Sequence, residues 1–595
     1  MNKSRKGAKF VALLLGASLI AASCGDDDDG GGAAVDTTAV VGAETTAAGT
    51  ETTEPGAETT VPVDTTAAEA AVGGSVLVAG EQLPSSFNYP HVDHNAFWTA
   101  LWMDQVWPQV SLFQPDGTYE WNLELLVEEP ELQEDPQVVT YRINPDAVWS
   151  DGTPISADDF VFTWEAQNGA LGPEVDPETS EQLPLYNAAS TSGFKDQTCV
   201  AEDEKTVVCT YATPFADWYS LFDPVLPLHA YEAQGGGDKV AGFNSGFAFG
   251  ATDPTAIPSG NQFEIAEVNG EETLTLVRNE SYWGEPAVLD DITIRWITDP
   301  SQEPAALQNG EVDVIFPQAQ VDLVQQTEGI AGVTSIVDFG TFFEHVDFNF
   351  DNVHLAKKEV RQAIGLALDR QEIVERLPGQ MSPDAEVMNN HIFYPGGAAY
   401  VPNGEEMYGA QDIDGAKALL ESAGYTLGGD GIYAHPTDGR LSVRWTWREP
   451  NPRREQTTQL AQASLQEAGI EIQLAPKPDF TFLGQSDFDI VLFGWTNITV
   501  PSGHTDIFAT EGGSNNGHYS NPEVDALFTQ ADQELDEDAR AALLTQIDEI
   551  LWDDLPVLPL FQVPEFLAFD QAVQNVEDNG YDGFMYNSSK WALAQ

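Results

Sequence analysis

The chain has 595 residues, 42% of them hydrophobic and 10% aromatic, more apolar matter than one compact core accommodates, so two or more globular units are expected. Lys and Arg number 24 against 96 Asp and Glu, a formal net charge of −72. Phosphate backbones and anionic headgroups are recognised by clustered Lys and Arg, so this balance excludes nucleic acid and an anionic lipid surface as direct partners, and it predicts a heavily solvated acidic surface.

Lys3, Arg5, Lys6 and Lys9 precede an apolar stretch, residues 10–22, that is too short for a permanent membrane span. Ala21, Ala22 and Ser23 then lead into Cys24. This run resembles a bacterial lipobox, with Ala21 where Leu is usual. It implies a signal peptide over residues 1–23 and a lipid on Cys24. The expected location is extracytoplasmic, at the cell surface or in the periplasm, with that lipid as the only membrane contact. Residues 24–74 carry an Asp run and then mostly Gly, Ala, Thr, Glu, Val and Pro without aromatics. Such a segment cannot bury enough surface to offset its ordering and is expected to be a disordered tether.

The folded part begins near Ser75. Residues 76–79 form a short apolar run between glycines and predict a buried strand. Strands and helices then alternate, the pattern of an α/β protein. Ser156 is placed to cap a helix beginning at Ala157, with Asp158 and Asp159 in its first turn. Val360, Ala363, Ile364, Ala367 and Leu368 fall on one face of a helix predicted over residues 359–376. A second helix is expected over 453–468, stopped by Gly469 and followed by a strand at 470–474. A late helix carries Leu543, Leu544, Ile547, Ile550 and Leu551 and ends near Pro556. Cys199 and Cys209 flank a polar turn, so in a hairpin centred on Glu204 they lie opposite one another, as a disulfide in an oxidising compartment requires.

Residues 147–164 read AVWSDGTPISADDFVFTW, and further segments follow in order: RNESYWG at 278–284, ALQNGEVD at 306–313, VRQAIGLALDR at 360–370, AKALLESAGY at 416–425, FDIVLFGW at 488–495, YSNPEVDAL at 519–527 and LPVLPLF at 555–561. Together they resemble the family 5 (oligopeptide, dipeptide and nickel) extracellular solute-binding proteins of ABC importers, over roughly residues 75–595. The resemblance implies a two-lobed periplasmic-binding-protein fold of type II, with an extra small domain on the first lobe. Lobe 1 is expected over 75–339, lobe 2 over 340–555, and a return to lobe 1 over 556–595. The implied function is capture of a small solute by hinge closure and its delivery, by a monomer, to a membrane permease, without catalysis or cofactor.

The resemblance also points to ligand contacts from the first strand-loop, the hinge strands and the strand ending in Gly-Trp. Here these are Gln82 and Asn88, Phe343 and His345, and Phe493, Trp495 and Asn497. Peptide-binding members often carry an Asp three residues after the Trp; this chain has Ile498. A standard peptide ligand is therefore not implied, and a mostly uncharged, aromatic pocket is expected, suited to a peptide held otherwise or to a neutral or sugar-like compound. Two rival readings rest on other features. Some members of the family take nickel complexes or haem, and His91, Asp93 and His94 stand close together, but no second cluster at ligand spacing follows, and no metal site is assigned. Ser192 and Lys195 match S-x-x-K without the companion motifs of a hydrolase.

Overall fold

The structure, a computed structural model, describes residues 70–71, 73–176, 180, 182–496 and 498–594. The leader, Cys24 and Asn497 lie outside the described residues. Pairing begins earlier than the expected boundary near Ser75: Ala70 and Ala71 pair with Ala594 and Leu593.

One ten-stranded mixed sheet organises the chain. Its strands in chain order are β1 (Ser75–Gly80), β2 (Phe263–Asn269), β3 (Thr273–Arg278), β4 (Asp291–Trp296), β5 (Val314–Ile315), β6 (Val333–Phe348), β7 (Ser442–Thr446), β8 (Glu471–Leu474), β9 (Ile490–Trp495) and β10 (Val557–Asp570). The spatial order is β2-β3-β4-β1-β5-β10-β6-β9-β7-β8. β6 and β10 are long enough to belong to two hydrophobic bodies at once. Val333 to Phe339 pair with Asp570 to Pro564, and the register then shifts before Phe343 pairs with Gln562.

In the first body, Val76, Val78, Ile292, Ile294, Val314, Leu567 and Phe569 join a large core that includes Trp102, Trp107, Trp149 and Trp591. The opposite side of these strands carries Ala79, Ile315, Phe566 and Ala568 against Leu307 and Leu323. The second body repeats the logic. Val346, Phe348, Ile490 and Leu492 pack on helices α1 (Lys358–Ala367) and α2 (Pro452–Glu467), while Val491, Phe493, Trp495 and Val557 pack on α3 (Glu537–Asp554). Alternate residues of β9 thus serve opposite cores, the period-2 rule of a doubly covered sheet.

The apolar stripe from Val360 to Leu368 is buried as its spacing requires. The helix expected over 359–376 is, however, two helices. Leu368 is extended, and the Asp369 side chain caps Arg370–Arg376 by accepting from Glu372 N at 2.8 Å. An Asp that can cap competes with its own helical continuation. Gly469 has φ +80°, which ends α2 at little cost. Cys199 and Cys209 are directly opposed in a hairpin and disulfide-bonded. In the 147–164 segment, Ser156 and Asp159 form a capping box, and the other Asp159 oxygen accepts from Leu228 N at 3.0 Å. This motif ties the start of the helix over Ala157–Gln167 to the chain at Leu228 within the first body. Among the described residues no helix is long and apolar enough to cross a membrane.

Candidate ligand cleft between the two bodies

Antiparallel pairing of β6 with β9 sets Phe343 opposite Trp495 and His345 opposite Phe493. The His345 ring stacks on Trp495 (5.7 Å, 12°) and meets the edge of Phe493 at 4.4 Å. Its Nδ1 lies 2.6 Å from Asp347 Oδ1, which fixes the ring. His345 Nε2 and Trp495 Nε1 are buried without hydrogen-bond partners. Four of the residues expected at the ligand thus form one cluster, in the core of the second body, with Trp495 6% exposed. Tyr394 covers it, edge-on to Phe343, and donates from its hydroxyl to Ile498 O at 3.2 Å.

The first-body candidates sit elsewhere. Asn88 is wholly buried, its Nδ2 donating to Phe243 O (2.7 Å) and its Oδ1 accepting from Tyr231 OH (2.6 Å). Both ends of that amide are engaged in packing. Gln82 is exposed in the loop after β1. His91 and His94 stack on each other at 4.8 Å, and among the described residues no group of His, Cys, Asp and Glu is placed to hold a metal ion.

A cavity of about 260 Å³ lies where β6 and β10 pass from one body to the other. Pro115, Asp116 and Tyr581 line it from the first body, Asp338, Gly340 and Gln562 from the shared strands, and Asp384, Glu386, Tyr394 and Gly396 from the second. Gln562 Nε2 donates to Gly340 O at 2.9 Å, and Thr341 N donates to Gly580 O, so three backbones meet at the crossing. Gly340 is required there: a Cβ would lie 2.9 Å from Gly580 Cα and closer still to the Glu565 carboxylate.

The lining corrects the expectation of an uncharged, aromatic pocket. It is aromatic in Phe339, Tyr394 and Tyr581, but it also carries Asp116, Asp338, Asp384 and Glu386, with no Lys, Arg or His. Behind Asp338 stand Glu565 and Asp578. Burial, then the Asp578 and Asp338 charges, push the Glu565 carboxyl well above the usual carboxylate range; burial, then Asp338, push Asp578 up to about 7. No motif flagged these acids, because carboxylates among 96 carry no signal until the fold gathers them.

A second bridge joins the bodies away from this crossing. Asp217, buried in the first body, forms a two-pronged ion pair with Arg540 of α3, the Arg540 Nη2 to Asp217 Oδ2 distance being 2.8 Å, and Oδ2 also accepts from Ser502 N at 2.9 Å. Burial alone would raise its carboxyl, but Arg540 and Ser502 hold it below its ordinary value. The neighbouring Ala216 N donates to Asp532 O at 2.8 Å.

Known proteins share this architecture. The chain is 29% identical over 485 residues to the oligopeptide-binding protein OppA of Mycobacterium tuberculosis (strain H37Rv), covering 79% of this chain and 77% of that one. The structure of the periplasmic EDTA-binding protein EppA superposes with a TM-score of 0.80 at 27% identity, over 90% of this chain and all of the other. The oligopeptide-binding protein AppA of Bacillus subtilis, in complex with a nonapeptide, has the same fold, with a TM-score of 0.67 at 21% identity over 89% of this chain and 100% of that one. The chain thus has the two-lobed periplasmic-binding-protein fold of type II. The model of the bacterial extracellular solute-binding proteins, family 5, matches residues 123–517, and the chain belongs to that family of extracytoplasmic solute-binding proteins.

Proposed function

We propose that this protein captures a peptide-sized solute in the cavity between its lobes and hands it, unchanged, to an ABC importer permease. The single observation behind the reading is the cavity at the crossing of β6 and β10, lined from both lobes and from the strands they share. In a hinge-closing receptor the register break between Phe339 and Phe343 is where the strands flex, and the ligand adds its contacts to the closed state. On this reading the first lobe spans residues 75–339 and the second begins at 340, and the return to the first lobe, expected at 556, falls instead near Pro564, because residues 557–563 of β10 pack in the second body. The Asp217–Arg540 ion pair belongs to the closed form. Cys24 carries the lipid that keeps the receptor, a monomer without catalytic activity, at the membrane.

A chelate is the second ligand class, because the EppA relative is named for binding EDTA. That reading fits this cavity poorly: four carboxylates and no cation repel a polyanion. The test is to purify the full mature protein from its host, release bound molecules by mild denaturation and identify them by mass spectrometry. A short peptide or similar solute, recovered unaltered, is the expected outcome. A product altered by the protein would move it to the enzymes. A protein that carries nothing and whose melting temperature no small solute raises would overturn the reading.

A further inference from the structure

We infer that the cleft selects an organic ligand bearing at least two positive charges, the shared chemistry of a short Lys- or Arg-rich peptide and a polyamine. The inference rests on the solute-capture reading above and names its ligand class.

The chain's general acidity does not explain the cleft. Some carboxylates that this protein buries in packing are given a cation, although Glu303, wholly buried, is not. Glu344 has Arg453 and Arg454, and Asp217 has Arg540. Around the cavity it supplies none: among the described residues, no ion pair engages Asp116, Asp338, Asp384, Glu386, Glu565 or Asp578. Asp578 is 7% exposed, its Oδ1 accepts from Asn579 N, and its Oδ2 has no partner.

A second unpaired set begins one residue beyond Tyr581. Asp582 Oδ2 accepts from Phe113 N at 2.9 Å, and Phe113 stacks on Tyr581 at 6.2 Å. Asp104 Oδ1 accepts from Tyr89 OH at 2.8 Å. Burial, followed by Asp223, raises both Asp104 and Asp582, the latter to about 8, and burial raises Asp223 to about 7. A cation that arrives with the ligand would meet the four carboxylates that line the cavity, Asp116, Asp338, Asp384 and Glu386, with no cation of the lining to compete for them. The Tyr394 and Tyr581 rings add cation–π faces. A bare metal ion is a poor fit, because no group of these carboxylates converges closely enough to coordinate one. The charges must therefore be carried apart, on an organic frame.

Calorimetric titration of the full mature protein with trilysine, spermidine, trialanine and triglutamate tests this. Trilysine, spermidine or both should bind at least about tenfold more tightly than trialanine, weakening with added salt, and triglutamate should not bind. Trilysine alone would point to a peptide source, spermidine alone to a polyamine. The double substitution Asp384→Asn, Glu386→Gln should weaken the cationic probe about tenfold without lowering the melting temperature. The double substitution Asp322→Asn, Glu328→Gln, at two exposed positions of the helix over Val321–Glu328, should leave its affinity unchanged. Trialanine or triglutamate binding as tightly as trilysine would overturn the charge inference and leave solute capture standing. Failure of every probe, with an empty protein from the host, would overturn both.

Discussion

Glu344 and Glu565 sit on adjacent strands of the same ladder, Glu344 in β6 and Glu565 in β10, and both are carboxylates withdrawn from water, yet they live in opposite electrostatic worlds. Glu344, 1% exposed, accepts from Arg454 Nε (3.0 and 3.1 Å) and from Arg453 Nη2 (2.9 Å). Burial would raise its carboxyl, but the two guanidinium groups outweigh it and hold it at about 2. Glu565 faces only Asp578 and Asp338 and is pushed the other way. A buried charge served by its own chain is architecture; one left unserved next to a cavity is an opening for a partner. Breaking the first kind should therefore unfold, and changing the second should retune. Arg454→Ala should produce the larger loss, about 3 kcal/mol of unfolding free energy in denaturant titration, because it strips Glu344 of its two-oxygen partner in a dry site. A loss under 1 kcal/mol would mean that Arg453 alone suffices.

The Asp217–Arg540 pair is built like the Glu344 site but spans the two lobes. Arg540→Met should leave Asp217 buried and unpaired only while the lobes are closed, so the molecule can escape the penalty by opening. The expected result is a larger radius of gyration in small-angle scattering without ligand, and weaker ligand binding, with about 2 kcal/mol lost by the closed form. An unchanged radius would show that closure does not depend on this bridge.

Much of the frame was legible from residues. The stripe from Val360 to Leu368, the helix stop at Gly469, the opposed cysteines and the β strand after Gly74 all rest on local periodicity or turn chemistry, which tertiary packing here reinforces. What was not legible depended on contacts far apart in sequence. Asp369 reads as one more polar helix position until its side chain caps and splits the helix. Asn88 reads as an available amide until Phe243 and Tyr231, over 140 residues away, engage both ends. Phe343, His345, Phe493 and Trp495 were named through the family resemblance, and strand pairing brings them into one cluster. The cleft carboxylates come from five separate segments, and only folding distinguishes Asp338 or Asp384 from the acids that merely face water.

The unserved set predicts a pH dependence with a definite sign. Asp578, faced by Glu565 and Asp338, has a carboxyl raised from 3.8 to about 7, so the folded state holds its proton where the unfolded chain has released it. A raised carboxyl contributes stability that is fully present below about pH 4 and is lost as pH climbs through 7. The ligand-free protein should therefore melt at progressively lower temperature between pH 4 and 8. Asp578→Asn should flatten that slope and at pH 8 should be more stable than the parent by about 1–2 kcal/mol. A parallel slope in the variant would place the cost on other groups.

The smallest effect belongs to a pair in water. Arg376 Nη2 lies 2.7 Å from Glu372 Oε1, one turn apart on the Arg370–Arg376 helix, with both side chains exposed. The geometry matches that of the buried pairs, but solvent and salt screen the attraction and no desolvated charge is left behind when it is removed. Arg376→Gln should change unfolding free energy by less than about 0.5 kcal/mol. A loss approaching that of Arg454→Ala would show that distance, and not burial, governs the charges of this acidic chain, and it would remove the ground for treating the unpaired cleft carboxylates as different from those on the surface.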